Sequence, residues 1–203
     1  MPQNEYDRKS MGINENGRPS TIPEAQGLNV FALVIYIPGP LGCFLDDLRR
    51  ELVPHYNPHA HVSVLPPRPL GVPWQAASDE ARALIEGWAP FDVELSALQV
   101  FPVTDVIYLE VDAGASDLRR MHAAMNAGSL AFQEPFSYHP HITLAQEVPH
   151  EGLRAMHDLA HRRWAEYEGS RSFRAERAVF VQNTMTDCWV DLAEYTLGAV
   201  SVE

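Results

Sequence analysis

The sequence predicts an α+β fold in which antiparallel sheets are covered by helices. Three observations carry that prediction. Strand-like and helix-like segments are mixed without the strict alternation of a parallel βαβ sheet. No Gly-x-Gly-x-x-Gly follows the first strand, which argues against a parallel dinucleotide-binding sheet. Residues 58–65, PHAHVSVL, recur in outline as residues 138–145, YHPHITLA. The offset of 80 residues suits two similar lobes sharing a cleft rather than a solenoid.

Residues 1–27 are rich in Asn, Pro, Gly, Glu and Ser and show no hydrophobic period, so a disordered tail is expected there and one domain over 28–203. Residues 28–37, LNVFALVIYI, form a near-continuous apolar run rich in β-branched side chains, the pattern of a buried strand, which Pro38-Gly39-Pro40 stops. Leu41, Leu45, Leu48 and Leu52 then recur at spacings of three and four, with Asp46, Asp47, Arg49 and Arg50 on the other side. That is an amphipathic helix, ended by Pro54. Residues 59–65 alternate as a strand, with His59, His61, Ser63 and Leu65 on one face, and Pro66-Pro67 is expected to terminate it. A helix follows over about 75–88, then strands over about 91–101 and 105–111. The second half repeats the plan: a helix over about 115–130, a strand over 140–145, a helix over 150–166, and long strands over 172–182 and 187–197.

Composition narrows the function. With 203 residues the chain can bury a sizeable core without disulfides or metal. Cys43 and Cys188 form no disulfide framework and no Cys-x-x-Cys signature, so both are expected as reduced thiols. The polar N-terminus lacks an apolar signal core, and the longest apolar stretch, Val30 to Ile37, is far shorter than the ~20 residues that span a bilayer. A cytoplasmic location without membrane contact is therefore expected. The formal net charge is -12, from 27 acidic and 15 basic residues, and no Lys/Arg-rich run is present. Binding to long nucleic acid is disfavoured on that ground. A small phosphorylated ligand in a locally positive pocket stays compatible, because net charge does not fix the field inside a cleft.

The repeated block has a physical logic. On a strand, residues i and i+2 point the same way, so His61 projects with Ser63, and His141 with Thr143. Each pair sets an imidazole, able to take or give a proton near neutral pH, beside a hydroxyl able to donate to a phosphoryl oxygen. Two such strands facing each other would grip one phosphate from two sides. One imidazole could deprotonate water while the other protonates the leaving oxygen.

The pair HVSV (61–64) and HITL (141–144) resembles the two HxTx or HxSx motifs of the two-histidine phosphoesterase superfamily, which includes 2′-5′ RNA ligase-like proteins and cyclic phosphodiesterases. The resemblance covers residues 28–197. It implies a bilobal α+β fold with two antiparallel sheets in pseudo-twofold relation around a central cleft and helices outside. It also implies hydrolysis, without metal or other cofactor, of a 2′,3′-cyclic phosphate or related phosphodiester of a nucleotide or short RNA end. By that likeness His61 and His141 are the acid–base pair and Ser63 and Thr143 hold the phosphate. Several relatives carry Arg soon after the second motif, where this chain has Gln146 and Glu147; Arg68 is the candidate to supply that charge.

Other readings stand beside this one. Tyr138 and Trp74 are candidate base-stacking groups. His59 and His139 are read as rim groups, or, with His61 and His141, as two His-x-His pairs able to bind a metal. A non-catalytic module binding a phosphorylated ligand would share the same cleft, and RNA ligation would be a side activity.

Overall fold

A computed structural model describes residues 27–54, 59–186 and 188–198. The expected tail lies outside the described residues except for Gly27, which already begins the first strand. In chain order the elements are β1 (Gly27–Tyr36), α1 (Leu41–Leu52), β2 (His61–Arg68), α2 (Trp74–Glu86), β3 (Phe91–Val100), β4 (Ile107–Val111), α3 (Ala115–Met125), a 3₁₀ turn (Gly128–Leu130), β5 (His141–Ala145), α4 (His150–Ala165), β6 (Ser172–Ala175), β7 (Arg177–Thr184) and β8 (Trp189–Thr196).

The strands form two four-stranded antiparallel sheets, ordered β2-β1-β7-β8 and β5-β4-β3-β6. The run β1-α1-β2-α2 corresponds to β4-α3-β5-α4, so the two lobes repeat one plan. In each sheet the strand bearing the His-x-hydroxyl tripeptide lies at the edge, and those two edges, β2 and β5, touch each other. The fold class is the α+β arrangement the sequence predicts.

Three boundaries differ from expectation. Strand β2 runs through Pro66 and Pro67 to Arg68. An edge strand tolerates residues without an N–H, and the ladder to β1 absorbs them with a register shift between Phe31 and Leu33. Helix α3 stops at Met125, and Leu130 reaches the core from the following 3₁₀ turn. There the Asn126 side chain takes over the backbone pairing, accepting from Phe132 N–H (2.9 Å) and donating to Phe132 C=O (3.2 Å). The segment 172–182 is two strands in two sheets: β6 pairs with β3, and after Glu176 the chain crosses to pair β7 with β1.

The core is built from one face of each sheet plus the apolar stripes of the helices. Leu41, Leu45, Leu48 and Leu52 of α1 are all buried, as are Leu118, Met121 and Met125 of α3. Gly114 caps the start of α3; its φ of +83° belongs to the left-handed region, and a Cβ there would lie 2.6 Å from the Asp92 carbonyl oxygen. A second apolar cluster, Ala32, Val34, Val179 and Val181, lies on the opposite face of the first sheet and packs against Tyr36 and Trp189. This is the face that carries His61 and Ser63, since Val34 stands opposite Ser63 and Tyr36 opposite His61. Both cysteines are free and exposed. Among the described residues no helix is long and apolar enough to cross a membrane.

Candidate active site

The alternation of β2 and β5 places the functional side chains. Val62 and Val64 are buried while His61 and Ser63 are half-buried on the other face; Ile142 and Leu144 are buried while His141 and Thr143 are half-buried. Burial of the valine, isoleucine and leucine side chains fixes the register, because a one-residue slip would turn the histidines into the core. The contact between β2 and β5 then brings the two motifs together, close enough for the two imidazoles to influence each other's charge.

The two imidazoles are held the same way. His61 Nδ1 donates to the His59 carbonyl at 2.8 Å, and His141 Nδ1 donates to the His139 carbonyl at 2.6 Å. A carbonyl can only accept, so Nδ1 carries the proton and Nε2 is left for proton transfer. The first histidine of each His-x-His thus acts through its backbone. His59 has a φ of +86° and lies before β2; its N–H, and that of Ala60, donate to Asp46 Oδ1 at 2.8 and 2.5 Å. His139 lies before β5 and its Nε2 meets both Glu110 oxygens, at 2.9 and 3.0 Å. Both His59 and His139 precede their strands, so His59 does not share the strand face expected of it. Among the described residues no group of three or more His, Cys, Asp or Glu is arranged to hold a metal.

The surroundings of the two histidines differ in charge. Opposite His61 stands Tyr36, edge-on to the imidazole with ring centres 6.3 Å apart, its hydroxyl donating to Asp191 at 2.7 Å. Burial, then Asp191, raises the Tyr36 pKa. Burial and the nearby Arg49 cation push His61 down to about 4. Opposite His141 stands Glu110. Burial, and after it the nearby His139 imidazole, lower the His141 pKa, while the His139 carbonyl and then the Glu110 carboxylate oppose that shift. Phe101 and Tyr108 stack at 3.9 Å and both meet His141 edge-on, at 5.0 and 5.4 Å.

Ser63 and Thr143 sit on the same faces as their histidines, and among the described residues neither hydroxyl is bonded to another protein group. Arg68 departs from its expected place. It is 2% exposed, and its guanidinium donates to Pro66 C=O (3.0 Å), Asn126 Oδ1 (2.8 Å), Leu130 C=O (2.8 Å) and Glu134. Those bonds turn it into the protein: Arg68 stands opposite Phe31 in the β1–β2 ladder, on the core face with Val62 and Val64 rather than on the cleft face with Ser63. Tyr138 also faces inward: its ring stacks on His122 at 4.0 Å and its hydroxyl donates to the Ser63 carbonyl at 2.8 Å. Trp74 packs against the main core.

Several site residues escaped the sequence reading. Tyr108 and Glu110 were legible, since Ile107, Leu109 and Val111 alternate with them and claim the core face. Arg49 was not. It falls on the polar side of α1, yet it is 4% exposed, because α1 packs against β5 of the other lobe.

A family model described as the 2′-5′ RNA ligase superfamily matches residues 38–185. The chain belongs to that superfamily of two-histidine phosphoesterases. A protein of Geobacillus kaustophilus carrying a provisional phosphoesterase name is 25% identical over 128 residues, 59% of this chain and 70% of the relative. One from Bacillus licheniformis is 25% identical over 132 residues, 58% and 76% respectively. Among solved structures, Escherichia coli LigT complexed with 3′-AMP matches with a TM-score of 0.56 at 14% identity, over 85% of this chain and 98% of that one. TT0787 of Thermus thermophilus matches with a TM-score of 0.54 at 17% identity, over 84% and 99%. At these identities the solved structures establish the fold: the two-lobed arrangement of this 2′-5′ RNA ligase superfamily member is shared with LigT.

Proposed function

We propose that this chain is a phosphodiesterase that opens a 2′,3′-cyclic phosphate, or a related phosphodiester, of a nucleotide or short RNA end. The observation that carries the reading is the paired geometry: two imidazoles with Nδ1 pinned by a carbonyl and Nε2 available, each beside a hydroxyl on the same strand face. Membership in the superfamily and the phosphoesterase names of its relatives support it. LigT has been crystallised with 3′-AMP, ATP, NADP+ and phosphate, ligands of the class this cleft would accept.

The unequal surroundings support one division of roles. His61, neutral beside Arg49, takes a proton from water through Nε2. The water oxygen forms the new bond to phosphorus, and the bond from phosphorus to one ribose oxygen breaks. That oxygen takes the proton from His141 Nε2, whose protonated form Glu110 favours. Ser63 and Thr143 donate to the phosphoryl oxygens, where negative charge grows in the transition state. The balance is one water consumed and one phosphomonoester formed.

The test is turnover of the four 2′,3′-cyclic nucleotides in EDTA by the wild type, His61→Ala and His141→Ala, with products separated by chromatography. Chelator-resistant turnover is expected, falling about 10²–10⁴-fold in each variant. Full activity in either variant would exclude the paired-histidine mechanism. Binding without turnover would point to a module that only recognises the phosphate.

A further inference from the structure

The loop that joins α3 to β5 is fastened to β2 at two points, and the fastening is polar and buried. At one end Arg68, 2% exposed, grips Asn126, the Leu130 carbonyl and Glu134. Glu134 Oε1 in turn meets His122 Nε2 of α3 at 2.9 Å. His122, 8% exposed, stacks its ring on Tyr138 with an interplanar angle of 22°. At the other end the Tyr138 hydroxyl donates to the Ser63 carbonyl at 2.8 Å. The chain of contacts starts on β2 at Arg68, passes through the second lobe, and returns to β2 at Ser63. Tyr138 lies three residues before His141, and Ser63 two residues after His61. One phenol therefore ties the entrance of the second motif to the backbone of the first.

We propose that Tyr138 is a positioning residue that sets the separation between the His61 and His141 strands. His122, Glu134 and Arg68 form the strut that holds its ring. The proposal rests on the phosphodiesterase reading for its kinetic consequence only; its structural consequence stands apart from any substrate. The two sheets meet at β2 and β5, which are edge strands of different sheets and share no ladder, since β2 pairs with β1 and β5 with β4. No ladder register fixes their spacing, which is left to the shared core and to side chains that bridge the two strands, as Tyr138 does. Two-imidazole catalysis needs the base and the acid on opposite sides of one phosphorus, and small misplacements of such groups cost orders of magnitude in rate.

Tyr138→Phe keeps the ring stack on His122 and removes only the bond to Ser63. Tyr195→Phe is the control: it also removes a buried phenol–hydroxyl bond, to Ser78 of α2, remote from the histidines in sequence and on a different strand. Two measurements are made on the full chain. Amide relaxation dispersion should show new microsecond-to-millisecond exchange along residues 61–65 and 141–145 in Tyr138→Phe but not in Tyr195→Phe. Turnover of 2′,3′-cyclic nucleotides should lose about tenfold in kcat with KM changed less than twofold, again in Tyr138→Phe alone. If the first measurement shows no exchange in either segment, the positioning role is overturned whatever the substrate. If exchange appears while the wild type hydrolyses no cyclic phosphate, the strut stands and the phosphodiesterase reading fails. If kcat is unchanged in an active enzyme, the strut does not serve catalysis and the proposal is overturned.

Discussion

Glu110 stands directly across the β4–β5 ladder from His141, the place that Tyr36 occupies opposite His61. Two motifs with the same geometry therefore have different charge environments, with the Glu110 carboxylate beside His141 and the Arg49 cation near His61. His61, pushed to about 4, is neutral above that pH and able to accept a proton. His141, lowered from 6.5 but supported by Glu110, must be protonated to act as the acid. Activity should rise as pH climbs through about 4 and fall as pH passes the His141 value, giving an optimum on the acid side of neutrality. Glu110→Gln removes the support for protonated His141, so its alkaline limb should move to lower pH and activity at pH 7 should drop several-fold. A pH–rate profile checks this, and an unmoved alkaline limb would contradict the role assignment.

Ser63→Ala and Thr143→Val should each lower kcat/KM by one to two orders of magnitude, the scale of a hydrogen bond to a charged oxygen, about 1.5–3 kcal/mol. Because neither hydroxyl is bonded to another group among the described residues, urea midpoints should stay close to wild type. Steady-state kinetics beside denaturation separates the two effects.

Arg68→Ala should act on stability rather than on substrate affinity. It leaves the Glu134 carboxylate, with a side chain only 12% exposed, without its guanidinium, at a cost of about 3–5 kcal/mol. Urea unfolding measures the loss. A tenfold rise in KM with stability intact would instead return Arg68 to phosphate binding.

His122 supplies a pH dependence of folding. Burial and then Arg68 lower its pKa to about 4, below the unfolded value of 6.5. Tyr138 and Glu134 are the other groups packed against the ring. Between those values the unfolded chain binds more protons than the folded one. The stability contributed is therefore full above about 6.5 and is lost as pH falls toward about 4, by at most about 1.4 kcal/mol per pH unit. Denaturation midpoints measured from pH 7 to 4.5 should show this slope, and His122→Gln should flatten it.

The second helix of the repeat illustrates what the sequence can and cannot carry. The leucines of α1 and the alternation of β2 and β5 were legible because local period alone decides which face is buried. The end of α3 was not, because Leu130 is apolar and buried like the residues of that helix's stripe, yet it follows Met125 by five residues and reaches the core from a 3₁₀ turn. The split of 172–182 was hidden for a similar reason: both halves have strand chemistry, and only pairing partners tell β6 from β7.

From sequence alone come the α+β class, through its mix of elements, the two lobes, through the repeated block, and the shared strand faces of His61 with Ser63 and of His141 with Thr143, through a period of two residues. The tertiary structure decided what surrounds them. Arg68 and Tyr138 face the interior as a strut, Arg49 is buried between α1 and the other lobe, and Glu110 and Tyr36 make the two histidines unequal. These are long-range contacts between segments tens of residues apart. Local pattern fixes which way a side chain points, but only packing fixes what it meets.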